Sequence, residues 1–387
     1  MNLKKIKVII STLLIATSLV VSNSFCGVLT AKAEAATTGG YANVTVSNEA
    51  KTIVRNLAEL QKAFNERKHH IVISGFISAG SSLKTFTFQD TGWNNVTIEG
   101  ENGGNAVLEN IQLKFSGEML PSGTSINNVV VRNITFRGNI KYLQSLKGAD
   151  TQPGGAGTNY MGVSFRRITN GWIDHCTMYD ISDDLMCVTL GSDKVTLSYN
   201  HFYFTNEWLN MKPNPTTWNW VGKNQDLASE RLAMVIGANR NDSFAYGGNK
   251  LHVTMHHNWF GPNIKGRPLI RGFVHEYNNY FDNGSTPSGY NSAGAPQQQY
   301  TANQIGSGSV IYSEENYFYK TNQSNQVGLD ISSDSHKFYE KYNTYNGTTG
   351  ASEKGMAFPN NTNFGYSYAP EDTSKVPADV QANAGAK

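Results

Sequence analysis

The chain of 387 residues has little cysteine, little charge, and no long apolar run beyond its first residues. Only 3 cysteines are present, so a domain of this length does not depend on a disulfide framework. Charged residues make up 16% of the sequence and the formal net charge is +2. That balance argues against a general nucleic-acid binder, whose affinity rests on a dense field of Lys and Arg. No later segment approaches the ~20 apolar residues of a spanning helix, so no membrane partner is expected. A Pro-rich or Ser-rich linker is also missing, which favours one domain, since repeat folds run this long as a single unit.

At the start of the chain stand Lys4, Lys5 and Lys7, then an uncharged run from Val8 to Val21, then Ala31, Ala33 and Ala35. This is the layout of a secretory signal peptide. Residues 1–35 are therefore read as a removed leader and 36–387 as one domain of a secreted protein. Losing Lys4, Lys5, Lys7 and Lys32 brings the mature charge near zero or slightly below it. A lipid-anchored Cys26 fits poorly behind the bulky Phe25, so Cys26 leaves with the leader. Cys176 and Cys187 remain, and sequence does not decide whether they pair. Nothing indicates oligomerisation, and a monomer is expected.

Asn56 precedes Leu57, Leu60 and Phe64 at helical spacing, with Glu59 three residues after the candidate cap; this predicts a short capping helix. Beyond it the vocabulary is β-branched and aromatic runs bounded by Gly, Asn, Asp and Ser. The runs are self-similar: NVTIEG from Asn95, NVVVRNITF from Asn128, GWIDHCTM from Gly171, KVTLSYNHF from Lys194, HVTMHHNWF from His252, FVHEYNNYF from Phe273 and VIYSEENYF from Val310. Asn, one variable residue and Phe recur at Asn200/Phe202, Asn258/Phe260, Asn279/Phe281 and Asn316/Phe318. Repetition at about one coil's length predicts a solenoid in which like residues stack. Asn133, Asn200, Asn258 and Asn279 are accordingly read as bend residues that bond their own backbone and the next coil. His256 and His257 are adjacent in a strand, point to opposite faces and make a poor joint metal site.

GWIDH at 171–175, GSDKVTLSYNHF at 191–202, VTMHHNWF at 253–260 and GRPLIRGFVHEYNNYF at 266–281 resemble, in order and approximate spacing, motifs of the pectate and pectin lyases. The resemblance is strongest from about Asn95 to Phe318 and implies an all-β fold, the right-handed parallel β-helix. It also implies cleavage of α-1,4-linked galacturonan by β-elimination, with a pectic polysaccharide as partner. The family's catalytic arginine maps to Arg267 and its substrate-binding arginine to Arg271. Arg267 abuts Pro268 directly, whereas the family usually has one residue between them.

Other positions depart from the family. Its acidic calcium ligands fall at Asn159, Met161, Asp183 and Cys187, and of these only Asp183 is a carboxylate. Asp180 and Asp184 offer oxygens nearby, but sulfur side chains do not suit Ca2+, so the calcium bridge is expected to be eroded. The family's substrate-binding lysine falls at Glu207, leaving Arg231 or Lys212 in the following insertion as candidate replacements. Trp208, Trp218 and Trp220 are candidate sugar-stacking platforms. An aromatic cleft of low charge favours methyl-esterified pectin, with pectate a near-equal reading. Two other classes stand against a lyase. A β-helical galacturonan hydrolase would use Asp183 and Asp184 to activate water, but the Gly-His-Gly and Arg-Ile-Lys segments sought for it are missing. A non-catalytic β-helix that binds cell-wall glycan remains, because fold does not establish activity.

Overall fold

The computed structural model describes residues 36–145, 160–213, 218–220, 223–225, 227–229, 231–242, 249–285, 301–328 and 336–387. Contacts group the chain into residues 1–32 and 33–387, so every described residue lies in the second group. The proposed leader falls outside the described residues.

Each turn of the chain contributes one short strand to each of three parallel sheets, which hold ten, eight and nine strands among the described residues. One turn runs from Val96–Gly100 in the ten-strand sheet to Val107–Glu109 in the nine-strand sheet and Ile111–Ser116 in the eight-strand sheet. It then re-enters the ten-strand sheet at Ile126–Arg132. This is the expected right-handed parallel β-helix, and the repeat seen in sequence is its coil. Near its start, the helix Leu57–Asn65 begins at the predicted N-cap, Asn56. Asn56 Oδ1 accepts from Glu59 N at 2.9 Å, and Glu59 Oε2 accepts from Arg55 N at 2.7 Å.

Two stacks explain the recurring Asn and Phe. Inside the coil, the rings of Phe202, Phe260, Phe281 and Phe318 follow one another at 5.2, 4.7 and 4.7 Å, and the exposed Tyr345 ends the stack at 4.7 Å. At the corner between the ten- and nine-strand sheets, Asn200 N and Nδ2 donate to Asn258 Oδ1, and Asn258 N and Nδ2 donate to Asn279 Oδ1. Asn279 repeats this toward Asn316, all at 2.8–3.0 Å. The residue before each rung takes the left-handed conformation that turns the corner: φ is 47° at His175, 50° at Tyr199, 52° at His257 and 52° at Asn278. Asn133 belongs to this corner column, at φ 58°, and not to the rungs. Cys176 occupies the rung below Asn200 and donates its amide to Asn200 Oδ1. It is buried and free, as is Cys187.

The termini close two outer faces. Tyr41, Ala42, Thr45 and Ser47 donate backbone N–H groups to Thr254, Thr196, Asn128 and Thr97 along the ten-strand sheet. Val376, Val380 and Ala384 of the C-terminal helix Val376–Asn383 and its end pack on Tyr280 of the nine-strand sheet.

One polar side chain interrupts the interior. Ile173, Leu197 and Met255 lead in register to Glu276, which is fully buried and accepts from Asn303 Nδ2 at 2.6 Å. Burial pushes its carboxyl from 4.5 up to about 7, against the bonds from Ser313 and Asn303. Its folded value lies above the unfolded one, so the linked stability is complete below pH 4.5 and is lost as pH rises through about 7. Thermal unfolding across that window is expected to show Glu276→Gln losing less stability than the parent chain. Parallel losses in both would remove Glu276 as the source.

Candidate active site

The site is built on the outer face of the eight-strand sheet. There the register Lys114, Ser164, Cys187, Val235, Leu269, Gln304, Gln326 forms one column across successive coils. Arg267 and Arg271 flank the two-residue strand Leu269–Ile270, and Asp183 and Asp184 stand just before the strand Met186–Thr189. The fold thus brings together residues more than eighty positions apart: Arg267 Nη1 lies 3.2 Å from Asp184 Oδ2. Burial raises the Asp184 carboxyl above its usual range, and the guanidinium groups of Arg267 and Arg271 offset part of that rise. Arg267 takes a left-handed φ of 78° immediately before Pro268, where this chain lacks the one residue that the family usually places between them. It keeps 16% of its side chain exposed, while Asp184 keeps 6%.

Arg271, a substrate-binding residue by the resemblance, is instead buried, with 7% of its surface exposed. Its Nη1 donates to Gly237 O at 2.7 Å, and two glycines make room for its stem. A Cβ at Gly237 would lie 2.7 Å from Arg271 Cβ, and one at Gly306 would lie 2.6 Å from Arg271 Cγ. Sequence reasoning missed both glycines, although each ends an eight-strand repeat unit, Met-Val-Ile-Gly and Asn-Gln-Ile-Gly. It also missed Asp184 as the partner of Arg267, since nothing local links residues so far apart.

Several sequence expectations are corrected here. Trp208 is fully buried, its ring 5.3 Å from that of Phe204, because the short helix Asn206–Leu209 turns it into the core; it offers no face to a sugar. Arg231 is likewise fully buried and donates to Asn263 O at 2.8 Å, so it anchors a loop. Lys212 is exposed. The side chains of Trp218 and Trp220, and all of Asn159, lie outside the described residues. Asp180 is spent on Thr205, accepting from its N at 2.9 Å and its Oγ1 at 2.7 Å; burial pushes its carboxyl up to about 6. Asp183 is half-buried and accepts from Asp184 N. Met161 and Cys187 sit with Val235 and Leu269 in an apolar patch. Burial pushes the Cys187 thiol up to about 11, which keeps it protonated and unsuited to a cation.

The fold and this cluster define a parallel β-helix with two arginines and a carboxyl group on the outside of one sheet. Residues 220–387 match the family model described as pectate lyase. The pectate lyase of Bacillus subtilis strain 168 is 26% identical over 240 residues, covering 57% of this chain and 49% of that protein. The pectate trisaccharide-lyase of Thermotoga maritima is 25% identical over 267 residues, covering 67% and 57%. This chain therefore spans about half the length of the curated relatives it matches. Pectate lyase C from Erwinia chrysanthemi, solved in the presence of Ca2+, superposes with a TM-score of 0.60 at 17% identity, covering 90% of this chain and 96% of that one. Residues 220–387 are thus similar to pectate lyases, and the fold is the parallel β-helix.

Among the described residues no helix is long and apolar enough to cross a membrane.

Proposed function

We propose that the protein is a secreted, monomeric polysaccharide lyase of one domain, residues 36–387, that cleaves α-1,4-linked galacturonan by β-elimination with Arg267 as the base. The observation that carries this reading is the placement of Arg267 and Arg271 on either side of one outer strand, with Arg267 partly exposed. Arg267 takes the weakly acidic proton next to the uronate carboxyl group. The electron pair left behind forms the C4–C5 double bond, and the bond from C4 to the leaving sugar oxygen breaks, that oxygen keeping the bonding pair and taking a proton from water. A free guanidinium deprotonates only above about pH 12, so activity is expected to rise toward alkaline pH. Arg271 is buried and spends Nη1 on Gly237 O, so in this reading it acts from behind the surface, its positive charge favouring the enolate-like charge that develops on the carboxyl group.

Calcium does not fit the residues present in the way the family uses it. Asp184 is engaged with Arg267, Asp180 with Thr205, and Met161 and Cys187 belong to an apolar patch, leaving Asp183 as the one candidate ligand among the three mapped positions that lie within the described residues. That patch beside the arginines supports methyl-esterified pectin, whose carboxyl groups are neutral. The names of the relatives favour the second reading, pectate.

The test is ultraviolet absorbance of unsaturated uronate products on polygalacturonate and on highly methylated pectin, each with calcium and with chelator. Signal that survives chelator, mainly on methylated pectin, is expected. Calcium-dependent signal on polygalacturonate would move the assignment to pectate with a rearranged metal site. Glycan cleavage without absorbance would indicate hydrolysis, and binding without cleavage a glycan-binding β-helix.

A further inference from the structure

His257, Glu371 and Asp379 bring one imidazole nitrogen and two carboxylate oxygens within 4.8 Å of one another, away from the arginine cluster. They come from distant parts of the chain. His257 is a left-handed corner residue following the strand His252–His256; Glu371 precedes the helix Val376–Asn383, and Asp379 lies on it. The backbone of Glu371 is fixed to the corner, while Asp379 Oδ1 already accepts from Asn383 Nδ2 at 2.8 Å. Asn278, the corner residue one coil above His257, accepts from Glu371 N at 2.9 Å and donates to Glu371 O at 2.8 Å.

Hydrogen bookkeeping around the two histidines shows what the group lacks. His256 Nε2 lies 2.8 Å from Thr38 O, and a carbonyl only accepts, so that nitrogen carries a hydrogen. His256 Nδ1 and His257 Nδ1 are 2.9 Å apart, so one of them must donate. His256 is buried and stacked on Tyr277 at 4.8 Å. A neutral ring in that place has its single hydrogen on Nε2, so its Nδ1 accepts and His257 Nδ1 donates. His257 Nε2 is then a bare lone pair. It faces Glu371 Oε1 at 4.0 Å, beyond hydrogen-bonding distance. That oxygen is itself shut off from solvent and has no hydrogen-bond partner among the described residues. Two acceptors aimed at each other, with a second carboxylate alongside, leave room for a cation. An imidazole whose other N–H is already fixed by a neighbour is the usual state of a metal-ligating histidine.

We propose that His257 Nε2, Glu371 and Asp379 bind a divalent transition cation of the zinc class, fastening the C-terminal segment to a corner of the β-helix. One imidazole with two carboxylates suits zinc, whereas calcium prefers an all-oxygen shell. The site is independent of the lyase reading and needs no substrate.

The experiment uses the full chain, treated with chelator, passed into metal-free buffer and titrated with zinc chloride or calcium chloride. Bound metal and Tm are measured. One zinc per chain is expected, with a Tm that rises with zinc concentration and no comparable effect of calcium. Asp379→Asn is expected to weaken zinc binding at least ~10-fold. Glu371→Gln places an amide donor against the His257 lone pair; it is expected to match or exceed the Tm of the metal-free parent and to stop responding to zinc. Zinc not retained, or retained equally by both variants, overturns the proposal. So does a metal-independent Tm that climbs as pH falls in the parent and not in Glu371→Gln, because a proton would then fill the gap.

Discussion

Replacing Arg267 with alanine is expected to lower turnover on pectic substrate by about 10²- to 10⁴-fold, the usual contribution of a positioned base. Lysine at the same position should fare little better, since a point charge does not reproduce the guanidinium fork. The complication is Asp184, whose buried carboxyl loses its 3.2 Å partner in the variant. Leaving it unpaired costs about 1–3 kcal/mol, and its carboxyl is already raised by burial. A drop in activity from lost folding is therefore separable from one due to chemistry. The double variant Arg267→Ala/Asp184→Asn restores much of the stability, measured by thermal unfolding, and restores none of the activity. If the single variant keeps parental turnover, Arg267 is not the base. If the double variant recovers activity, Arg267 serves only to neutralise Asp184.

The largest structural effect is expected at Asn258. Its side chain accepts from Asn200 N and Nδ2 and donates to Leu197 O and to Asn279 Oδ1, all within 3.0 Å, and the residue is fully buried. Asn258→Ala removes both halves of the rung and strands partners that water cannot reach. Each orphaned group costs about 1–3 kcal/mol, so a loss of about 3–5 kcal/mol is expected. Asn258→Asp keeps an acceptor for Asn200 but sets a buried carboxylate oxygen against the acceptors Leu197 O and Asn279 Oδ1, so it is expected to lose at least as much as alanine. Urea unfolding of the three chains should rank the parent first and aspartate no higher than alanine; a loss under about 1 kcal/mol for alanine would mean that the coil closes around the missing rung.

Much of this protein was legible along the chain because a β-helix writes its geometry as a local repeat. Asn200, Asn258, Asn279 and Asn316 recur since each coil must turn the same corner, and the Phe column recurs because each must fill the same interior. The N-cap bond between Asn56 and Glu59 was legible for the same reason: its partners are three residues apart. Arg267 and Arg271 stood out as a short motif beside one strand.

What only the tertiary structure decided are the relations between coils. Asp184 meets Arg267, Gly237 and Gly306 clear space for Arg271, and His257 faces Glu371 and Asp379 because stacking sets them side by side, with no pattern in sequence to announce it. Trp208 and Arg231 show the opposite limit. Residue type suggested a platform and a cleft cation, but side-chain direction depends on how an insertion packs, and both face inward. Local periodicity fixes which residues share a column of the solenoid; which side chains meet across columns is settled by where the loops and termini fold back upon it.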